Sequence, residues 1–371
     1  MKNLFKTCCY LTCLLLSNSA SAGNPVSKSD SAFQIQGEYV GRIVAPGYPT
    51  KSALQVVATS ETTFDAYVLH GGLPGQGWDQ KERMVFQGTG YKNANFTHPE
   101  SSLVLRSYAH YPGMIFVFKN NYRIGTFRKV FRQSPTMGLS APSNAVVLFK
   151  DKDTHRLKNV KINDNGTLGI GAETVDLVQN MRLHVEFKTP FEPHEKGQGR
   201  GNSGIYIQRR YEVQILDSFG LELEPNRCGG LYRQKSADIN MALPPGSWQT
   251  YDIYFYAAKF DDQGKRIKKA RLTVVQNGVK IHDNYELVNK TGAGRKETPE
   301  PGPIWFQDHR NLVQFRNLWL VHLSDDEVLP SDMNPAYGIF DGVSFPSEPA
   351  ATDCEPLECE PALGLSRWRL R

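Results

Sequence analysis

Met181-Arg182-Leu183-His184-Val185-Glu186-Phe187-Lys188 carries an apolar residue at every odd position and Arg, His, Glu or Lys at every even one. A period of two is that of a strand with one face in a core. Outward from this stretch the same signature recurs. In Tyr211-Glu212-Val213-Gln214-Ile215, Val213 and Ile215 take one face and Glu212 with Gln214 the other. Asn277-Gly278, between Leu272-Thr273-Val274-Val275 and Val279-Lys280-Ile281, is a strong two-residue hairpin signal. Val313 to Val321 reads as a closing strand. Many short antiparallel strands, with no helix long enough for a crossover, predict a jelly-roll β-sandwich with one polar face over residues 145–326.

Upstream, residues 33–142 contain β-branched and aromatic runs at Leu54–Ala58, Thr63–Leu69, Leu103–Leu105 and Met114–Phe118, with no helical period, and predict a smaller β-rich domain. Ser134 to Ser143, with Pro135 and Pro142, reads as the connection between the two. Before them, 23–32 is small and polar and is expected to be a disordered leader. Residues 1–22 have the layout of a cleaved signal peptide: Lys2 and Lys6, the apolar run Tyr10–Leu16, then Ser19-Ala20-Ser21-Ala22. The mature protein is therefore expected to be secreted or periplasmic. After Asp326 the chain is a Pro-rich tail, 327–371.

The 371 residues include 32 Gly, 22 Pro, 16 Tyr and 19 Phe, a composition of strands and tight turns. The formal charge of +5 falls to about +3 once Lys2 and Lys6 leave, too little and too scattered for a nucleic-acid footprint. No apolar segment approaches the roughly 20 residues that span a bilayer, so no membrane partner is expected. Cys228, Cys354 and Cys359 remain after cleavage, an odd number, so at least one is a free thiol or pairs between chains; Cys354 and Cys359 could bridge locally.

Chemistry-bearing residues gather in two places. Gly197-Gln198-Gly199-Arg200-Gly201-Asn202-Ser203-Gly204 precedes a strand pair bearing Tyr206, Gln208, Glu212 and Gln214 opposite its apolar face. No helix and no Gly-Lys-Ser/Thr follows, which excludes a phosphate loop. A carboxylate, amides and a phenol on one face suit the reading of sugar hydroxyls, although an ordinary solvated face would look the same. Trp305-Phe306-Gln307-Asp308-His309 packs a ring, an amide, an acid and an imidazole into a loop, with Arg316 on the next strand. Asp308 beside His309 is placed to tune the imidazole, or both are surface residues. His184, His194 and Glu195 share no ligand spacing, so no cofactor or metal site is expected, a divalent ion being the one group left open.

Gly201 to Tyr206, Tyr211 to Gly220, Pro244-Pro245-Gly246-Ser247-Trp248-Gln249-Thr250-Tyr251-Asp252-Ile253, Asn277-Gly278-Val279 and Gly302 to Asn317 occur here in the order of the 3-keto-disaccharide hydrolase family, which the chain resembles across residues 145–323. The resemblance implies a concanavalin-like jelly roll and either cleavage of 3-keto-glycosides by β-elimination (3-keto-glucoside 1,2-lyase) or hydration of the 3-keto-2-hydroxyglucal product. Under it Glu212 is the candidate base and His309 the candidate acid. Asn202 and Arg316 would donate to the ketone or enolate oxygen, Gln214 and Gln307 would read hydroxyls, and Trp305 and Tyr206 would stack on the sugar. Asp308 would line the site, and Asp217 would line it or replace Glu212 as base if a bulge turns it. The expected partner is an oligosaccharide or glycoside, with oligomeric state left open. A cysteine that some relatives have near Ala242 is absent. Two other readings stay open: a non-catalytic carbohydrate-binding sandwich, and a conventional glucanase, for which Gln214 stands where a second acid is needed.

Overall fold

The computed structural model describes residues 28–45, 48 and 51–325, so the expected signal peptide, Cys354, Cys359 and the 327–371 tail lie outside the described residues. Two β architectures follow one another. The first is an antiparallel meander of eight strands, β1 (Gly37–Ile43), β2 (Ser52–Ala58), β3 (Thr63–His70), β4 (Met84–Tyr91), β5 (Asn93–Thr97), β6 (Leu103–Ser107), β7 (Met114–Lys119) and β8 (Tyr122–Val130). β8 returns to pair with β1, Glu38 opposite Val130, and closes a barrel. Closure removes both sheet edges. Alternation sends Ala94 and Phe96 of β5 inward with Leu54, Phe64, Phe86, Leu105 and Phe127. The four runs read as strands all fall inside β2, β3, β6 and β7.

The leader expectation needs correcting. Lys28–Ile35 forms α1, and its Ala32 and Ile35, three apart and so on one helix face, join the barrel core. Ser29, Asp30 and Ser31, just before it, mask that short apolar pair in composition.

The second architecture comprises β9 (Val146–Phe149), β10 (Leu157–Lys158), β11 (Glu173–Val178), β12 (Met181–Lys188), β13 (Ser203–Ile207), β14 (Tyr211–Ile215), β15 (Trp248–Tyr256), the ribbon β16 (Lys259–Phe260) with β17 (Arg266–Lys268), then β18 (Arg271–Gln276), β19 (Val279–Glu286), β20 (Gly302–Phe306) and β21 (Gln314–His322). They make a five-stranded sheet in the order β10-β11-β20-β13-β14 and a six-stranded sheet in the order β19-β18-β15-β12-β21-β9. Ile205, Ile207, Val213 and Ile215 of the first sheet pack with Leu183, Val185, Phe187, Ile253 and Phe255 of the second in one core. Each such side chain contributes on the order of 1.5–3 kcal/mol. Asn277 and Gly278, with φ of 51° and 81°, make the expected hairpin turn between β18 and β19. The chain is thus all-β, a two-sheet sandwich preceded by a smaller barrel.

The two central even positions of β12 prove not to be wet: His184 and Glu186 are buried, while Arg182 and Lys188 at its ends stay partly exposed. The segment 134–139 lies across them as a strap. The Thr136 hydroxyl donates to Asp252 Oδ2 (2.8 Å) and the Gly138 N–H to Glu186 Oε1 (2.6 Å), while the Leu139 carbonyl accepts from Asn317 (3.0 Å) and Trp319 (3.2 Å). Parity assigns a residue to a face and says nothing of what covers that face. Barrel and sandwich also touch directly, where Val57 and Tyr67 pack on Phe219 and Arg83 donates to the Gly220 carbonyl at 2.6 Å. Cys228 is a buried free thiol 3.2 Å from the Tyr251 hydroxyl.

Candidate functional site

β13 and β14 form a hairpin through Gln208 and Arg209, both at positive φ (53° and 58°). That turn takes Gln208 out of the strand, where its amide donates to the Val178 carbonyl at 2.8 Å rather than joining the polar face. Register then fixes the outer face of the five-stranded sheet: Tyr206 opposite Glu212, Gly204 opposite Gln214, and Tyr206 beside Trp305 of β20. The core face belongs to the alternate residues, so the carboxylate, phenol and amide share one face as strand parity predicts, and the indole of Trp305, expected in a loop, joins them from β20.

Glu212 sits in a tight pocket. The Tyr206 hydroxyl donates to its Oε2 at 2.6 Å. The Gln214 amide, oriented with its nitrogen toward these acceptors, donates to Glu212 Oε1 and to the Ser203 carbonyl, both at 2.9 Å. Gly204 is needed beneath: a Cβ there would stand 2.4 Å from Glu212 Oε1. Gly292, at φ 40°, closes the pocket from above, where a Cβ would meet Glu212 Oε2 at 3.0 Å and the Tyr232 ring at 3.1 Å. The same loop binds the strand backbone, the Glu212 N–H donating to Thr291 Oγ1 at 2.5 Å and the Ala293 N–H to the Tyr206 hydroxyl at 3.3 Å.

Burial pushes the Glu212 carboxyl up from 4.5 to about 7, with the Tyr206 hydrogen bond pulling the other way. Burial, and then the neighbouring Glu212 charge, push the Tyr206 phenol up. It therefore stays a proton donor to the carboxylate across the neutral range. Among the described residues no Lys or Arg pairs with Glu212, whereas the other buried acids have one: Glu38 with Arg132, Glu173 with Lys158 and Arg209, Glu186 with Arg316, Asp217 with Arg200, Asp252 with Arg182.

At the rim, Asn202 donates to the Gln198 carbonyl at 2.7 Å. Gln307 is tied by its backbone N–H to the Gly204 carbonyl at 2.9 Å, and its buried Oε1 has no partner among the described residues. Trp305 is half-buried, with Tyr206 on one side (ring centroids 5.1 Å) and the Arg209 guanidinium over its ring at 3.9 Å. His309 is exposed, two residues beyond Gln307, and no hydrogen bond joins it to Glu212.

Four expectations change. Tyr206 is no stacking surface, being buried with its hydroxyl on Glu212. Asp308 turns from His309 and pairs with Lys161 at 2.9 Å and the Arg310 N–H at 3.0 Å, which hold its carboxyl below the usual range. Asp217 is buried against Arg200 (2.6 Å), whose Nη1 donates to the Ala58 carbonyl of the barrel at 3.0 Å; it stays on the opposite parity and serves the junction. Arg316 belongs to the other sheet. A bulge at Asn317, φ 48°, turns both residues toward Glu186, at 2.6 Å from Arg316 and 2.9 Å from Asn317. The sandwich core lies between Arg316 and Glu212, which removes Arg316 from the site.

Tyr232, Thr291 and Gly292 were not foreseen. The Thr291-Gly292-Ala293-Gly294 run is the only sequence signal of the last two, and Tyr232 has none. Among the described residues, no group of three or more His, Cys, Asp or Glu is arranged to hold a metal ion.

Residues 163–321, which include both sheets' central strands, match the family model described as a 3-keto-alpha-glucoside-1,2-lyase-like domain. Among solved structures, a protein from Parabacteroides distasonis ATCC 8503 assigned as a glycosyl hydrolase is 30% identical, over 50% of this chain and 86% of that one, with a TM-score of 0.46. Two further proteins so assigned from the same organism are 18% and 22% identical, covering 49% and 48% of this chain and 95% and 99% of theirs, with TM-scores of 0.36 and 0.35. No curated protein matches the chain. Through its sandwich, the chain belongs to the 3-keto-alpha-glucoside-1,2-lyase-like family and is a carbohydrate-active enzyme.

Proposed function

We propose that the protein cleaves 3-keto-glycosides by β-elimination across carbons 1 and 2, with Glu212 as the base. The observation that carries this reading is that Glu212 is buried, has no cation partner among the described residues and is held near neutrality, where a base exchanges protons best. A carboxylate kept for structure has an ion pair; one kept for proton transfer is poised.

The 3-ketone acidifies the proton on carbon 2. Glu212 takes that proton, and the electrons of the broken C–H bond pass into the enolate. As the ketone re-forms, a double bond forms between carbons 1 and 2 and the bond from carbon 1 to the glycosidic oxygen breaks. The departing oxygen takes a proton from an acid, the role assigned in this reading to His309, exposed two residues beyond Gln307. Water added across the new double bond, hydroxyl to carbon 1 and proton to carbon 2, gives the free 3-keto sugar. Gln214 holds Glu212, Asn202 and Gln307 face the sugar hydroxyls or the enolate oxygen, and Trp305 offers an apolar platform. The loop carrying Gly292 has to move aside to admit carbon 2. The signal-like sequence of residues 1–22 supports a site of action outside the cytoplasm.

The test is to incubate the purified protein with an aryl 3-keto-glucoside and, separately, with the unoxidised glucoside. Release from the first alone is the expected result. Release from the second alone would make it a conventional glycosidase, and release from neither a binding module. Glu212→Gln should lower turnover by at least about 10²-fold; a fully active variant would remove Glu212 as the base.

A further inference from the structure

On the barrel, away from the Glu212 pocket, α1, the β6–β7 turn and the end of β8 enclose a half-open groove of about 870 Å³. That is the size of a small-molecule site. Three of its lining rings stand in solvent: Phe131 is 85% exposed, Phe33 46% and Tyr111 38%. Large rings gathered at one exposed place mark a contact surface rather than a random surface residue.

The groove's charge is one-sided. Lys92, Arg128 and Lys129 line it, and none of its described lining residues is acidic. None of the three has a carboxylate partner among the described residues. The Lys129 ammonium donates to the Gln34 carbonyl at 2.6 Å and lies 5.7–5.8 Å from the rings of Phe131 and Tyr39. Burial pushes Lys129 down to about 8, so it is still largely charged at pH 7 and a neighbouring anion would restore its proton affinity.

Groups that read sugar hydroxyls are scarce here. Ser31 and Ser107 spend their hydroxyl oxygens on the N–H groups of Lys92 and Ala94, and the Tyr39 hydroxyl donates to the Ile35 carbonyl. What remains on offer is flat apolar surface beside unpaired positive charge.

We propose that this groove binds a small amphipathic anion: an aromatic body carrying one carboxylate, sulfonate or phosphate group. The rings take the body, and Arg128 with Lys129 takes the anion. This is a second site, independent of the chemistry at Glu212, and its failure would leave that chemistry untouched.

The experiment titrates the whole protein with 8-anilinonaphthalene-1-sulfonate and with the neutral N-phenyl-1-naphthylamine, following fluorescence. The sulfonate should bind saturably at one site per chain, about tenfold or more tighter than the neutral dye at low salt, the worth of one well-placed charge interaction, and weaken as salt rises. Arg128→Gln and Phe131→Ser, both exposed positions, should each weaken it at least about threefold with the thermal midpoint unchanged. No saturable binding, equal binding of the neutral dye, or unchanged affinity in both variants would each overturn the proposal.

Discussion

Glu212 and Asp217 stand five residues apart on one strand and its extension, and both are buried carboxyls pushed up by burial, yet their surroundings give them opposite consequences. Asp217 faces a guanidinium, so Asp217→Asn should leave Arg200 without its counter-charge and cost about 3 kcal/mol in denaturant unfolding, with turnover of the folded protein unchanged. Lost turnover at unchanged stability would return Asp217 to the site. Glu212 faces a phenol and an amide. Its carboxyl ionises near 7 in the folded protein and near 4.5 in the unfolded chain, so the folded state holds the extra proton between those values and stability falls as pH rises through them. Glu212→Gln removes that penalty. The variant should match the parent near pH 5 and exceed it at pH 8 by up to roughly 3 kcal/mol; a variant less stable at pH 8 than at pH 5, relative to the parent, would contradict a poised carboxyl. Parity alone made Glu212, Gln214 and Tyr206 legible in the sequence. It could not tell a stacking phenol from a hydrogen-bonding one, because that depends on the Gly292 loop, eighty residues downstream, which closes the space above the ring.

Among elements, the strap over β12 and β21 is where composition misleads most. Two prolines and small residues read as a free connection, but its N–H, hydroxyl and carbonyl groups are spent on Glu186, Asp252, Asn317 and Trp319. Beneath it His184 stacks on Trp319 (5.1 Å, 20°) and bonds Asp252 at 2.9 Å. Burial alone would lower the imidazole's pKa, but the hydrogen bond to Asp252 and the nearby Glu186 carboxylate, 3.8 Å away, outweigh it and raise the imidazole above its usual 6.5. Burial likewise opposes charge on Glu186, yet His184, Asn317, Arg316 and the Gly138 N–H bring its carboxyl down from 4.5 to about 2. The raised imidazole contributes stability that is complete below 6.5 and lost as pH rises through its folded value. The depressed carboxyl contributes stability that is complete above 4.5 and lost as pH falls toward 2. Both are at full strength only between those limits. His184→Gln should therefore cost most, about 2 kcal/mol, near pH 5.5, and less at pH 8, as measured by urea midpoints. A cost that grows above pH 7 would mean that His184 is held neutral.

On the scale of the whole molecule, the barrel and the sandwich each have a core that the alternation of apolar residues already implies, whereas nothing in the sequence announces how they join. The junction is built from pieces that look unrelated along the chain. Phe219, just after the site-bearing strand, is buried against Val57 and Tyr67 of the barrel. Arg200 spans from Asp217 to the Ala58 carbonyl and Arg83 reaches the Gly220 carbonyl, while Phe33 of α1 packs edge-on to Phe191 at 5.2 Å. The Tyr211–Gly220 motif thus does two jobs: its first half supplies Glu212 and Gln214, and its second half anchors the barrel. A junction of buried ring, ion pair and strap should make the two cores unfold together. Scanning calorimetry of the parent should show one transition. Phe219→Ala empties the apolar centre of the contact at a cost of about 3–5 kcal/mol, and should split that transition into two or lower it as a whole. Two separate transitions already in the parent, with Phe219→Ala moving neither, would mean that the barrel is merely tethered and that the motif's second half stabilises the sandwich alone.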